Sequence, residues 1–236
     1  MPPKLDRAQV VDAALRLLDE TGLEGLTLRR IATALDVKAP ALYWHFANKQ
    51  ALLDEMATEM LRRMSAGPNA VPESWQEAIT TTCRTLRAAL LGYRDGAKVF
   101  SGTRLTDYGH AGEQDALLAA FLRAGYELGD AVLAFTTASA FTIGFVIEEQ
   151  AVQPVPGERA PEYDPERRAA AIDPEHALAA AASRELFGGF EQRFERGLAI
   201  VVAGVEASLG GTPRPSSGPP PGPAAGSVNS GQPLGD

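Results

Sequence analysis

A single cysteine, Cys83, stands in 236 residues. One thiol cannot build an intrachain disulfide framework, and this points to a reducing cytoplasm. Histidine is almost as scarce. His45, His110 and His176 lie far apart, without the spacing that holds zinc, so no metal site is expected. The chain lacks a glycine-rich phosphate loop, a Cys/His pair and a serine nucleophile turn. Glu148 and Glu149 are neighbours, and adjacent helical side chains diverge, so they do not form an acid–base pair. Neither an enzyme nor a bound cofactor is expected. Alternating apolar and polar runs are missing too, while alanine-rich helical windows dominate, which predicts an all-α fold.

No apolar stretch follows the first basic residues, so no secretory signal is read there. Residues 131–147 form an uncharged run, AVLAFTTASAFTIGFVI, framed by Asp130 and Glu148. It is shorter than the roughly 20 residues of a membrane span and carries four hydroxyls. The expectation is a helix buried in a protein core, with no membrane partner.

Positive charge is also in deficit, with a net charge of −8. Its distribution is uneven. Residues 1–50 hold seven basic and six acidic side chains, a balance of +1, leaving −9 for the remainder. An N-terminus facing nucleic acid is therefore permitted, though charge alone does not suggest it.

Three regions are present. Residues 5–64 read as short helices divided by turn signals. Residues 73–209 read as longer helices, interrupted by a surface loop over 151–173 that holds Pro154, Pro156, Gly157, Pro161 and Pro165. Residues 210–236 are Gly, Pro and Ser with little apolar content, the composition of a disordered tail. The corresponding domains are 1–50, 51–209 and 210–236.

Within the first region, Asp6 with Gln9 makes a capping-box start, and Gly22 is placed to end that helix. Thr27 caps a second helix over 27–35. A third opens at Pro40 and runs to about Phe46, and Asn48 caps a fourth. Two short helices joined by a tight turn and braced by a longer one form a helix-turn-helix. On the third helix Leu42 and Phe46 point inward. Lys38, Ala39, Ala41, Tyr43 and His45 are left outward, a surface suited to a major groove, where small residues let the backbone approach the bases. Tyr43, His45 and Lys49 can reach phosphates. An ordinary packed three-helix unit is the competing reading.

The strings Thr27-Leu28-Arg29-Arg30-Ile31-Ala32, Ala41-Leu42-Tyr43-Trp44-His45-Phe46, Asn48-Lys49 and Leu52-Leu53 resemble the DNA-binding domain of the TetR family of repressors. Further motifs are similar to the tetracycline-binding members of that family: 93–100, Gly102-Thr103-Arg104, 141–144 and Glu148-Glu149-Gln150. So is the helix from Gly189 to about Leu209. The resemblance implies a homodimer that binds a palindromic double-stranded operator and is released by a small-molecule effector. A regulator without effector, or an activator, is the alternative.

Carried over by position, Arg29 matches a DNA-contacting arginine on the second helix. Ala39, Pro40, Ala41 and Tyr43 match base-reading positions. Trp44, His45 and Lys49 match residues that contact the DNA backbone or brace the helix. Thr27 and Lys38 complete the expected DNA face. The tetracycline repressors have glutamate, glutamine and threonine where Lys38, Ala39 and Ala41 stand, which implies a different operator.

For the effector, the resemblance implies contacts at Thr103, Arg104 and Ser139, and at Glu148 near the drug-bound magnesium. The metal-ligating histidine is replaced by Phe100. Ser65, Thr82, Leu86, Ala116 and Ala140 replace other drug-contacting side chains. With Leu105, Val132 and Phe135 these make a more apolar cavity, oriented by Thr82, Thr103, Arg104 and Ser139. The implied effector is not a tetracycline and binds without metal. Gly96 and Gly102 are candidate hinges. A stripe of Phe187, Phe190, Phe194, Leu198, Val201, Val202 and Val205 is read as a bundle-forming face of the dimer, with Gly188, Gly189, Gly197 and Gly204 allowing close helix approach; burial within a single subunit is the alternative.

Overall fold

The first helix begins where its cap dictates. Asp6 accepts a hydrogen bond from the Gln9 N–H at 2.8 Å, and the Gln9 side chain accepts one from the Asp6 N–H at 3.1 Å. The computed structural model describes residues 5–65, 71–155 and 157–209. The expected tail over 210–236 lies outside them, as does Pro156. Among the described residues the chain is helical throughout, its only strand-like pairing being the isolated bridge Val155–Glu158.

Helix α1 spans Arg7–Gly25 and is interrupted at Gly22, whose φ of 68° needs a glycine. The chain then makes one more helical turn, so Gly22 is a break within α1 rather than its end. Helix α2 is Leu28–Ala34, with the Thr27 hydroxyl accepting from the Arg30 N–H at 3.3 Å. Asp36 takes the left-handed turn (φ 52°) into α3, Pro40–Tyr43. Helix α3 is shorter than its pattern predicted, because 44–46 continue only as a turn, with the His45 and Phe46 N–H groups both reaching Leu42 O at 2.9 Å. Helix α4, Lys49–Ser65, opens with the Asn48 side chain accepting from the Ala51 N–H at 2.9 Å.

These four helices enclose one core built on Val10, Ala14, Leu18, Ile31, Leu42, Phe46, Leu52 and Met56. Each large side chain fully buried here contributes roughly 1.5–3 kcal/mol. Val99, from much later in the chain, joins the same core.

The second half comprises α5 (Trp75–Leu91), α6 (Gly96–Phe100), α7 (Ala111–Arg123), α8 (Leu128–Val152), α9 (Pro165–Ala171), α10 (Ala177–Leu186) and α11 (Phe190–Leu209). Helices α5, α7, α8 and α11 enclose a core of Trp75, Ile79, Cys83, Phe121, Ala134, Ala138, Phe194 and Leu198. Trp75, Phe121 and Tyr126 form a ring cluster with centroids 5.0–5.4 Å apart.

Four expectations need correction. The 151–173 segment is not all loop: the Asp164 carboxylate caps α9 by accepting from the Glu166 and Arg167 N–H groups, both at 2.9 Å, and Pro165 opens the helix without losing a bond. The stripe on α11 is not left free for a partner, since Phe190, Phe194, Leu198 and Val205 are buried within their own chain. Among the glycines assigned to close packing there, Gly197 fits that role, its missing Cβ lying 2.5 Å from the tip of Phe141, whereas Gly204 faces open space. Finally, α8 is only partly enclosed. Its small residues Ala131, Ala134, Ala138 and Thr142 face the core, while Val132, Leu133, Ala140 and Gly144 face outward.

Candidate DNA interface and effector region

Helix α3 is held from beneath by Leu42 and Phe46, both essentially inaccessible, and this fixes which side chains look outward. Trp44 is 89% exposed and Tyr43 57% exposed. Among the described residues the other large aromatic ring this exposed is Tyr108, and the two here are consecutive. Lys38, Pro40, Thr27 and Arg29 are exposed beside them, while Ala39, Ala41 and His45 are half-buried and Ala39 packs against the core. Exposed Lys49 places its ammonium 3.2 Å from Leu23 O, at the edge of the same face.

Two charged side chains that sequence reasoning passed over brace this face. Arg7 donates from Nη1 to His45 O and from Nη2 to Glu55 Oε2 at 2.7 Å, and its guanidinium lies 4.4 Å from the Phe46 ring centroid. No local motif marks Arg7, because its partners are 38 and 48 residues away.

The effector candidates fall into two groups. Leu86 and Phe100 pack with Leu90, Ala97, Val146, Met64, Ile143 and Ile147 in an apolar cluster between α4, α5, α6 and α8. Ser65 ends α4, and its buried Oγ has no hydrogen-bond partner among the described residues. Thr103 Oγ1 donates to Phe100 O at 2.8 Å, and the Arg104 N–H donates to Asp54 at 3.2 Å, so the 101–105 segment is tied to α6 and α4. Thr82, Leu105 and Ala116 are half-buried. The second group sits on α8. Phe135 packs into the large core and Ser139 is half-buried, but Val132, Ala140 and Glu148 are exposed. Ala140 and Glu148 line a groove of about 480 Å³ with Phe141, Phe145, Phe187 and Arg193.

Of the two candidate hinges, Gly102 has φ 76° and open space around it, as a hinge requires. Gly96 sits in different surroundings. A Cβ there would collide with Leu90 O, so glycine serves close packing of α6 on α5.

The junction between the halves is a corner at 93–97. Gln150, buried on α8, donates to Leu90 O at 3.1 Å and Tyr93 O at 2.7 Å and accepts from the Ala97 N–H at 3.1 Å. Asp19 of α1 accepts from the Arg94 N–H at 2.9 Å, and burial pushes its carboxyl up against that bond. Asp95 accepts from the Leu23 N–H and from Lys98. Nearby, Arg87 makes a two-pronged ion pair with Glu149 at 2.9 and 3.0 Å. Gln150 and Asp95 lie in strings that the family resemblance singled out, but nothing in the residues themselves gave them a role.

Comparison with known proteins places this architecture. Residues 10–56 match the family described as bacterial regulatory proteins, tetR family, and residues 68–209 match the tetracyclin repressor-like C-terminal domain. The chain is 42% identical over 205 residues to the tetracycline repressor protein class A from transposon 1721 of Escherichia coli, covering 86% of this chain and 91% of that one. Among solved structures, a TetR variant from Acinetobacter baumannii in complex with minocycline superposes with a TM-score of 0.66 at 33% identity, covering 86% of this chain and 98% of the other. BioQ with its double-stranded DNA operator superposes with a TM-score of 0.59 at 31% identity, covering 86% and 99%. With both halves matched and the helix-turn-helix in place, the chain belongs to the TetR family of transcriptional regulators.

Proposed function

We propose that this protein is a cytoplasmic homodimeric repressor that binds a palindromic operator through residues 1–50, and that a small molecule bound within residues 51–209 releases it. The observation that carries the DNA face is the outward pair Tyr43, the last residue of α3, and Trp44, in the turn after it, with Leu42 and Phe46 buried beneath. Thr27, Arg29, Lys38, Ala39, Pro40, Ala41, Tyr43, Trp44, His45 and Lys49 are the proposed contacts. With Lys38, Ala39 and Ala41 presenting a cation and two methyl groups, the operator differs from that of the tetracycline repressors. Regulation is the whole of the proposed activity, without an enzymatic step.

A dimer is supported by α8 and α11. Leu133, Thr137, Ala140 and Gly144 on α8, and Ile200, Ala203 and Ala207 on α11, form exposed stripes of mostly apolar or small residues. Helix α8 is apolar and long enough to cross a membrane, with only 28% of its most apolar window buried by its own chain. A second subunit would cover that surface in a four-helix arrangement.

The proposed effector is not a tetracycline. Phe100 sits in an apolar cluster with Leu86, and a phenyl ring cannot ligate the magnesium that a tetracycline carries. Ser65, Thr82, Thr103, Arg104 and Ser139 supply the polar contacts, and Leu86, Phe100, Leu105, Ala116, Val132, Phe135, Ala140 and Glu148 complete the proposed lining. An effector must favour one of two arrangements of the halves, by typically 1–3 kcal/mol, to release DNA.

The test is selection of duplexes from random DNA by the purified chain, followed by an effector screen against the complex. The expected result is a palindrome bound by two chains. A chain that stays monomeric and selects no sequence defeats the proposal, and magnesium-dependent tetracycline binding at micromolar strength defeats the effector part.

A further inference from the structure

The C-terminal end of α3 has no helix of its own to stiffen it, since regular structure stops at Tyr43. Buried Leu42 and Phe46 anchor it from below, and Arg7 ties it to α4 from the side. One guanidinium nitrogen donates to His45 O, another to Glu55 Oε2, and the flat face covers Phe46. Glu55 lies on α4, with its side chain 12% exposed, and its second oxygen accepts from Arg62 at 2.9 Å. Burial, the strongest single influence on Glu55, would raise its carboxyl; Arg7 and Arg62 together outweigh it and hold the group below the ordinary carboxylate range. Arg62 in turn donates from Nε to Asp107 at 2.8 Å, in the segment that joins α6 to α7.

We infer that Arg7 and Glu55 are positioning residues for DNA recognition: Arg7, oriented by Glu55, clamps the end of α3 so that Tyr43 and Trp44 are presented in one orientation. The inference rests on the reading of α3 as the DNA-facing helix. A planar fork can serve a carbonyl and a carboxylate at once, whereas an ammonium is a point charge without that geometry.

The sign of one substitution separates this from simple charge attraction. Glu55→Gln removes a negative charge from the DNA-binding half. Charge alone would then tighten binding to a polyanion. A clamp robbed of its anchor weakens it. The experiment measures affinity for the duplex selected by the full-length wild-type chain, for R7Q, R7K, E55Q and R7Q/E55Q, across a salt series. The expected result is about a tenfold loss for R7Q and for E55Q, with R7K close to R7Q and the double variant no worse than R7Q, as coupled partners behave. The salt slope stays at the wild-type value, whereas loss of a direct phosphate contact would reduce it by about 0.9. Should R7Q fail to fold, E55Q carries the test, because the amide fills the same space on α4 and lacks the charge that orients the guanidinium. Wild-type affinity in E55Q, tighter binding by E55Q, losses that multiply, or a reduced slope in R7Q would each overturn the inference while leaving the DNA-facing reading intact. A wild-type chain that selects no duplex would overturn that reading instead.

Discussion

Asp95 accepts a hydrogen bond from the backbone N–H of Leu23, 3.0 Å away and 72 residues earlier in the chain. Leu23 follows the break in α1, and Asp95 begins α6 in a left-handed conformation with φ 55°. The DNA-binding half and the effector half therefore meet through a charged acceptor and a main-chain donor.

Removing that acceptor should loosen the junction. Asp95→Ala is expected to lower stability by about 1.5–3 kcal/mol, the range for hydrogen bonds to a charged group, read from urea unfolding near neutral pH. Burial favours the neutral acid of Asp95, but Lys98, the Leu23 N–H and Arg94 outweigh it and hold the carboxyl below its usual range. A carboxyl depressed in the folded state stabilises fully above its unfolded pKa of about 3.9 and loses that contribution as pH falls through the folded value. The gap between wild type and D95A should accordingly be constant above about pH 5 and shrink in stronger acid. A gap that widens on acidification would contradict this.

Gln150 satisfies three main-chain groups of the same corner. Gln150→Leu strands a buried N–H and two carbonyls, at about 1–3 kcal/mol for each group left unsatisfied. A drop of about 2–4 kcal/mol in unfolding free energy is expected, allowing for partial relaxation. Gln150→Glu keeps the acceptor for Ala97 but has no donor for the two carbonyls, so it should be damaged almost as much. Equal stability of Q150E and wild type would show that the carbonyl contacts matter little.

Arg87 and Glu149 pair where both side chains are largely hidden, with Arg87 stacked 4.8 Å from the Phe194 ring centroid. Arg87→Ala leaves a buried carboxylate without a counter-charge, expected to cost about 3–5 kcal/mol. Replacing Arg87 together with Glu149, as in R87M/E149Q, should recover a large part of that loss, because the buried carboxylate is gone and Glu191, the other partner of Arg87, is 77% exposed to water. Calorimetric melting of the three chains decides the matter; a double variant worse than R87A would refute it.

Ile200 is 72% exposed on α11. In an isolated subunit Ile200→Arg would be nearly neutral, within about 0.5 kcal/mol. In the proposed dimer it places a charge in the contact between subunits, so sedimentation should show monomers at concentrations where wild type is dimeric. Unchanged dimerisation would move the interface elsewhere.

Local chemistry made the first four helices readable. The Asp6/Gln9 box, Thr27, Asn48 and Pro40 act over three or four residues, and each appears where its pattern required. Direction was harder. A three–four repeat such as Phe190, Phe194, Leu198 states that one face is buried but not by which chain, and it proved to be buried by its own. The prolines of 151–173 hid an Asp-Pro helix start, because breakers and initiators use the same residues. Partners separated by tens of residues, Arg7 with Glu55 or Gln150 with Ala97, leave no periodic trace, and only the folded chain reveals them.

The chain contains two tryptophans, and they occupy opposite surroundings. Trp75 is shut inside the ring cluster with Phe121 and Tyr126, while Trp44 stands almost wholly in solvent. The protein thus carries a built-in optical gauge. A water-soluble quencher should extinguish the long-wavelength share of the emission and spare the rest, and a macromolecule that covers Trp44 should blunt the response to added quencher without a dye being attached.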